Sequence, residues 1–269
     1  MMSYRNILIP LAIKAGNEIL KYYRKNPLTK YKLDNSPVTE ADLLANQIII
    51  DGLKCTNLPV LSEESEFVDY DKRKNWDKFW IIDPLDGTKQ FVKNEDEFTV
   101  NIALIENNTT VEGVVFAPAL NILYYGNCID GAEKIIINTD MQPIKMTCLK
   151  SDILRIVASK SHLNEATKAY LNEINNKVEG AKFVNVGSSL KFCLVAEGEA
   201  DFYPRFGPIN EWDIAAGHAV LKAAGGYMID INTGKELTYN SESLCTPDFV
   251  AYGDADLIIK TGVLNIIEK

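Results

Sequence analysis

The chain is 269 residues long, with 46% hydrophobic and 24% charged residues. That is the balance of a globular protein, not of a disordered, collagen-like or coiled-coil one. Its net charge of −9, from 37 acidic against 28 basic residues, argues against a protein that grips a nucleic-acid backbone, which needs a cationic surface.

Ile7, Leu8, Leu11, Ala12, Ala15, Ile19 and Leu20 share one helical face, which predicts a first helix over about residues 4 to 24. This start lacks the apolar core and small-residue cleavage site of a secretory signal. No apolar run approaches the roughly 18–20 residues that span a bilayer. A soluble protein without an export address is therefore expected. The polar stretch from Pro27 to Pro37 reads as a loop. Thr39 then suits the N-cap of a second amphipathic helix, and Asp42, three residues on, completes a capping-box pattern.

After Pro59 the period changes. PVLSEE, FWIIDP, FTVNIALIE, TVEGVVFAP and NILYYGN predict a mostly antiparallel meander. From about residue 150, strands and helices alternate. ILRIVAS, KFVNVG, ADFYPRF and YMIDI read as strands; HLNEATKAYLNEI, SLKFCLVAEG and WDIAAGHAVLKAA read as helices, the last closed by Gly225 and Gly226. An α+β part over 1–150 followed by an α/β part over 151–269 implies two sheets layered with helices, with a cleft between the parts. The cysteines, Cys55, Cys128, Cys148, Cys193 and Cys245, have no CxxC spacing, so buried thiols in a reducing compartment are expected.

Acidic residues fall at the ends of these elements. Glu63 and Glu64 end one strand, Asp83 and Asp86 end another, and Asp42 and Asp213 lie in the first turns of helices. In WIIDPLDGT, Pro84 holds Asp83 extended and Asp86-Gly87 reverses the chain, so both carboxylates and the Leu85 carbonyl can converge. Oxygen ligands without His or Cys describe a hard-cation site for Mg²⁺ or Mn²⁺. Each piece also has a plainer reading. Asp-Pro and Asp-Gly are common turn chemistry, SEESE can be a solvated acidic run, and Asp42 and Asp213 can be helix caps.

Taken together, LSEES, WIIDPLDGT and EWDIAAGHAVLKAAGG resemble the lithium-sensitive, magnesium-dependent phosphatase superfamily that includes inositol monophosphatase. More narrowly, SPVTEAD, GTKQF, EFTVNIALI and GSSLKFCLVAEGEADFYPRFGPINEWD resemble its CysQ-type 3'(2'),5'-bisphosphate nucleotidases. Lys89-Gln90 departs from the Thr-Asn usual in the inositol branch. The resemblance implies a layered αβαβα sandwich and hydrolysis of the 3'-phosphate of adenosine 3',5'-bisphosphate, with 3'-phosphoadenylyl sulfate as a second substrate. It implies two Mg²⁺ ions, replaceable by Mn²⁺: one on Glu63, Asp83 and the Leu85 carbonyl, the other on Asp83, Asp86 and Asp213. A weaker third ion would touch Glu63, and Glu64 would play a supporting part.

It also implies that Thr88 and Asp42 orient the attacking water and take its proton. Gly87 and Thr88 would contact the phosphate, and His162, Ser188, Lys191 and Arg205 the rest of the nucleotide, alongside Asp213. Lys191 on a solvated helix face and Arg205 in a structural ion pair are the plainer alternatives, and His218 reads as structural. An inositol or sugar-phosphate monophosphatase of the same fold is the alternative enzyme; a non-catalytic nucleotide-binding protein is the alternative from another class. The expected partner is a small phosphorylated nucleotide, with no nucleic-acid polymer and no integral membrane segment. The expected form is a cytoplasmic monomer or homodimer, with peripheral contact at the inner membrane left open.

Overall fold

The computed structural model describes residues 3–25, 29–31, 37–139, 141–148, 152–159 and 164–264. In chain order the elements are α1 (Arg5–Leu20), β1 (Thr29–Tyr31), β2 (Pro37–Thr39), α2 (Glu40–Leu53), β3 (Val60–Ser62), α3 (Tyr70–Arg73), β4 (Lys78–Asp86), α4 (Thr88–Val92), β5 (Thr99–Glu106), β6 (Thr109–Ala117), β7 (Ile122–Asn127), β8 (Gly131–Ile136), β9 (Ile144–Met146), β10 (Arg155–Ser159), α5 (Glu165–Lys177), β11 (Lys182–Val186), α6 (Leu190–Ala196), β12 (Phe202–Arg205), α7 (Glu211–Ala223), β13 (Tyr227–Asp230), β14 (Phe249–Tyr252) and α8 (Ala255–Thr261).

Strands β3 to β9 form one sheet in chain order, antiparallel except for the parallel β3–β4 pair. The smaller sheet runs β11-β10-β12-β14-β13; β10, β11 and β12 are parallel, and β14 is antiparallel to both its neighbours. Side-chain alternation sorts β4 between two layers. Trp80 and Ile82 pack with α1 and α2, whereas Phe79 and Ile81 face a central core shared with α6, α7 and the small sheet. On the far side of the small sheet, Ile156, Phe202 and Val250 pack against Tyr170 and Ile174 of α5 and Leu257 and Ile258 of α8. The layers thus follow the order helix, sheet, helix, sheet, helix. Among the described residues, no helix is long and apolar enough to cross a membrane.

Three expectations need correction. The first helix stops at Leu20, because Lys21 N and Tyr22 N bond only three residues back, to Glu18 O and Ile19 O at 3.0 Å, which tightens and ends the turn. The segment read as a loop contains two strands: β1 pairs antiparallel with β2, Thr29 opposite Thr39. The thiols are not all buried either. Cys193 is buried and Cys148 half-buried, whereas Cys55, Cys128 and Cys245 lie exposed outside the regular strands and α-helices; all five are free.

Helix α7 lies directly on the backbone of the large sheet, and glycine makes this possible. A Cβ on Gly126 would stand 2.6 Å from Val220 Cα and 2.8 Å from Ala219 O, and one on Gly113 would stand 2.8 Å from Ala219 Cβ. Gly126→Ala is therefore expected to lower unfolding stability by about 1–3 kcal/mol through overpacking. The change would appear as a lower urea midpoint at unchanged m-value.

Candidate active site

The parallel pairing of β3 with β4 places Ser62 opposite Ile82, and the Glu63 amide donates to Ile82 O at 3.3 Å. Glu63 thus leaves its strand beside Asp83. Residues three apart on a regular strand point to opposite faces. Between Asp83, opposite Asn101, and Asp86, opposite Thr99, β4 advances three residues while β5 advances two. This bulge absorbs one residue, and both carboxylates line the same cavity. Gly87, at φ +89°, then turns the chain into α4.

Asp213 arrives on the first turn of α7. Its Oδ2 accepts from the Asn210 amide at 3.1 Å in a capping box. Glu63, Asp83 and Asp213 each offer a carboxylate oxygen, all within 4.8 Å of one another. Asp86 lines the same cavity of about 320 Å³ but stands outside that group of three. Its Oδ2 accepts from Ser189 N at 2.6 Å and Ser189 Oγ at 3.0 Å.

Burial, then the neighbouring carboxylates, push Asp83 and Asp213 well above the usual carboxylate range; Glu63 is the largest charge acting on Asp83, and Asp86 on Asp213. Asp83 Oδ1 accepts from Leu85 N at 3.0 Å, while its buried Oδ2 has no hydrogen-bond partner. An orphaned carboxylate oxygen amid like charges fits a divalent cation with oxygen ligands.

Asp42 is buried at the start of α2. Its Oδ2 accepts from Thr39 N at 2.8 Å and Thr39 Oγ1 at 2.6 Å. Its Oδ1 lies 3.2 Å from Thr88 Oγ1, which also stands 3.1 Å from Leu85 O. The capping reading is therefore correct, but it uses one oxygen and leaves the other facing Thr88. Burial raises Asp42 to about 6, against the lowering effect of the Thr39 bonds.

The same cavity also holds cations. Lys191, 6% exposed, donates Nζ to Ser188 O at 2.6 Å. Burial lowers it to about 8, while Asp86 opposes the shift. Arg205 donates Nη2 to Pro208 O at 3.2 Å, and its buried Nε has no partner. Ser188 combines a left-handed φ of +49° with a buried Oγ that also lacks a partner. Strain and an unsatisfied group on one residue are a mark of functional loops.

Residues 1–262 match the family model described as the inositol monophosphatase family. The chain belongs to that family. It is 43% identical over 252 residues to the 3'(2'),5'-bisphosphate nucleotidase CysQ of Escherichia coli strain K12, covering 89% of this chain and 95% of the relative. It is 38% identical over 253 residues to the CysQ of Haemophilus influenzae, covering 93% and 92%. The crystal structure of CysQ from Bacteroides thetaiotaomicron, described as a bacterial member of the inositol monophosphatase family, superposes with a TM-score of 0.83 at 41% identity, covering 92% of this chain and 96% of that one. The Thermotoga maritima IMPase gives a TM-score of 0.79 at 26% identity, covering 98% and 95%.

The inositol monophosphatase sandwich of this chain brings Glu63, Asp83, Leu85, Asp86, Gly87, Thr88, Ser188, Lys191, Arg205 and Asp213 to one cavity. Glu64 does not line it; its amide donates to Ser62 Oγ at 3.2 Å. His162 lies outside the described residues. Lys191 is part of a buried wall and not of a solvated helix face, because α6 packs into the central core. His218 does not line this cavity: its Nδ1 is 2.8 Å from Tyr239 Oη, and burial lowers it to about 3.

Sequence reasoning missed Ser189, whose hydroxyl lies within hydrogen-bonding distance of Asp86 Oδ2, Asp213 O at 2.7 Å and Asn101 Nδ2 at 2.8 Å. The signal available was a serine at a helix start, which reads as an ordinary cap. In fact Ser189 ties Asp86 at the end of β4 to the first turn of α7 that carries Asp213.

Because Asp83 and Asp213 titrate above their unfolded value of 3.8, the metal-free protein loses stability as pH rises from about 4 through their raised values. Mg²⁺ is expected to restore it. Asp83→Asn is expected to raise the melting temperature in EDTA by about 2–6 °C at pH 8 and to remove most of the Mg²⁺-induced rise. Calorimetry with and without Mg²⁺ across pH 5–8 checks both signs.

Proposed function

We propose that this chain is a Mg²⁺-dependent phosphomonoesterase that hydrolyses the 3'-phosphate of adenosine 3',5'-bisphosphate to AMP and phosphate, with 3'-phosphoadenylyl sulfate as a second substrate. The observation that carries this reading is a single cavity lined both by the carboxylates and by two cations, the buried Lys191 and the half-buried Arg205. The names of the CysQ relatives support it. A substrate with one phosphate to be cleaved and a second to be held suits a cavity of two signs.

Glu63, Asp83 and the Leu85 carbonyl would hold one ion, and Asp83, Asp86 and Asp213 another; Glu63 would also touch a weaker third, and Mn²⁺ suits the same oxygen donors. When bound, Mg²⁺ supplies the positive charge that lets a phosphate approach these carboxylates and eases deprotonation of the attacking water. The protein's own groups then act in sequence. Thr88 Oγ1 orients the water and passes its proton to Asp42, which is charged above about pH 6. The Gly87 and Thr88 amides donate to the reacting phosphate. Ser188, Lys191 and Arg205 hold the remainder of the nucleotide, and His162 is read as a nucleoside contact. We treat 1–150 and 151–269 as two parts of one catalytic unit, since Asp213 and the two cations come from the second and the remaining acidic ligands from the first.

Phosphate release from adenosine 3',5'-bisphosphate, inositol 1-phosphate and fructose 1,6-bisphosphate, each with and without Mg²⁺, tests the assignment. At least a tenfold higher kcat/KM for the nucleotide is expected, and the nucleotide reading fails if either other substrate is preferred. Nucleotide binding with no turnover in Mg²⁺ would make the chain a binding protein. For the dyad, the acidic limb of kcat is expected at or below about pH 6, and Asp42→Asn should lower kcat by about 10²–10⁴. A pH–rate profile of both proteins checks this.

A further inference from the structure

One aromatic side chain of the cavity has no role in the machinery above. Tyr203 is 1% exposed and alternates with Phe202 on β12, so that Phe202 packs under α5 while Tyr203 faces the central layer and the cavity. Phe192 at 5.2 Å and Phe249 at 5.6 Å meet its ring edge to face, which fixes its direction. Lys191 Nζ stands 5.5 Å from the ring centroid. At the end of this clamped ring the hydroxyl is buried beside Arg205, which acts on it, yet no group meets it in good hydrogen-bond geometry.

A single orphaned hydroxyl costs about 1–3 kcal/mol and can be incidental. Here, besides the Asp83 Oδ2 oxygen left for a cation, three such groups line one cavity: Tyr203 Oη, Ser188 Oγ and Arg205 Nε. All three can donate, and the Lys191 ammonium has further N–H donors beyond the one given to Ser188 O. Their shared complement is a ligand rich in acceptors and poor in donors, carrying negative charge, which describes a phosphate. The carboxylates of the same cavity, once loaded with metal, would take the phosphate that reacts, which leaves these donors for a second one.

Lys191 and Arg205 now rest on backbone carbonyls, Ser188 O and Pro208 O. Both side chains can exchange these carbonyls for an anion held beside the tyrosine hydroxyl. Burial holds that hydroxyl above its ordinary range despite the opposing pull of Arg205, so it remains a donor at neutral pH.

We infer that Tyr203 is a specificity-determining residue whose hydroxyl donates to the non-reacting phosphate of the substrate, so that the cavity prefers a nucleoside bisphosphate to a monophosphate. This rests on the nucleotidase reading above and adds to it the group that discriminates.

The test is Tyr203→Phe in the full chain with Mg²⁺, assayed on adenosine 3',5'-bisphosphate and on adenosine 3'-monophosphate, which lacks the second phosphate. For the bisphosphate, KM should rise about 10- to 100-fold with kcat within about twofold, the value of a hydrogen bond to a charged group. For the monophosphate, both constants should be unchanged. The melting temperature should equal or exceed that of the wild type, because an unsatisfied hydroxyl has been removed. A general structural role would move both substrates together. Equal loss on both, an unchanged preference for the bisphosphate, or a sharply lower melting temperature overturns the inference. If the wild type already hydrolyses neither nucleotide, the nucleotidase reading fails and this one fails with it; if the wild type prefers the bisphosphate and the variant keeps that preference, only the role of Tyr203 is lost.

Discussion

Glu63, Asp83 and Asp213 bring like charges within 4.8 Å of one another inside the protein, although one follows the third strand and another sits on the seventh helix. At such distances each pair of charges repels by about 3 kcal/mol at an effective dielectric of 20. Something in the fold must hold them regardless. The buried face of α7 does so: Ile214, Val220 and Leu221 are fully buried in the central core, each contributing about 1.5–3 kcal/mol. Glycines at 113 and 126 let that helix rest on the sheet backbone without a spacer. Repulsion at one end of α7 is thus outweighed by contacts along its length, and the cluster remains assembled for a cation.

An acidic protein that receives a polyanion presents an apparent conflict of sign. The net charge of −9 belongs to the whole chain, and at physiological salt most of it is screened beyond about 8 Å. The field in the cavity is set by groups that water does not screen. Lys191 is among them, 6% exposed and close enough to Asp86 that each holds the other toward its charged form. The carboxylates need a metal to be neutralised, whereas the cations of the same cavity are present already. A ligand carrying two phosphates thus meets two sources of positive charge.

The features legible in the sequence are those that a short window determines. The spacing of Leu8, Ala12, Ala15 and Ile19 marked α1, Thr39 with Asp42 marked the start of α2, and FWII marked a buried strand. Features that depend on a distant partner were not legible. β1 and β2 are three residues each and exist only as a pair. The bulge that turns Asp83 and Asp86 to the same side is defined by the register of β5, not by PLD itself. Ser189 carries no signal beyond its place before a helix, yet its amide and hydroxyl both go to Asp86. Tyr203 lies in ADFYPRF without any local mark, since only the folded cavity shows where its hydroxyl ends up.

The acidic helix starts explain why cap and site were hard to separate in the first place. A carboxylate has two oxygens and a helix start needs only one. Asp42 gives Oδ2 to Thr39 and keeps Oδ1 toward Thr88; Asp213 gives Oδ2 to the Asn210 amide and still contributes to the trio. The capping bond also fixes the side-chain torsions, so the remaining oxygen points in one direction at no further entropic cost. An uncapped aspartate on a loop would have to be ordered by the metal itself, and part of the binding energy would be lost in doing so. The two readings of these residues are therefore one arrangement: the helix start is what aims the carboxylate.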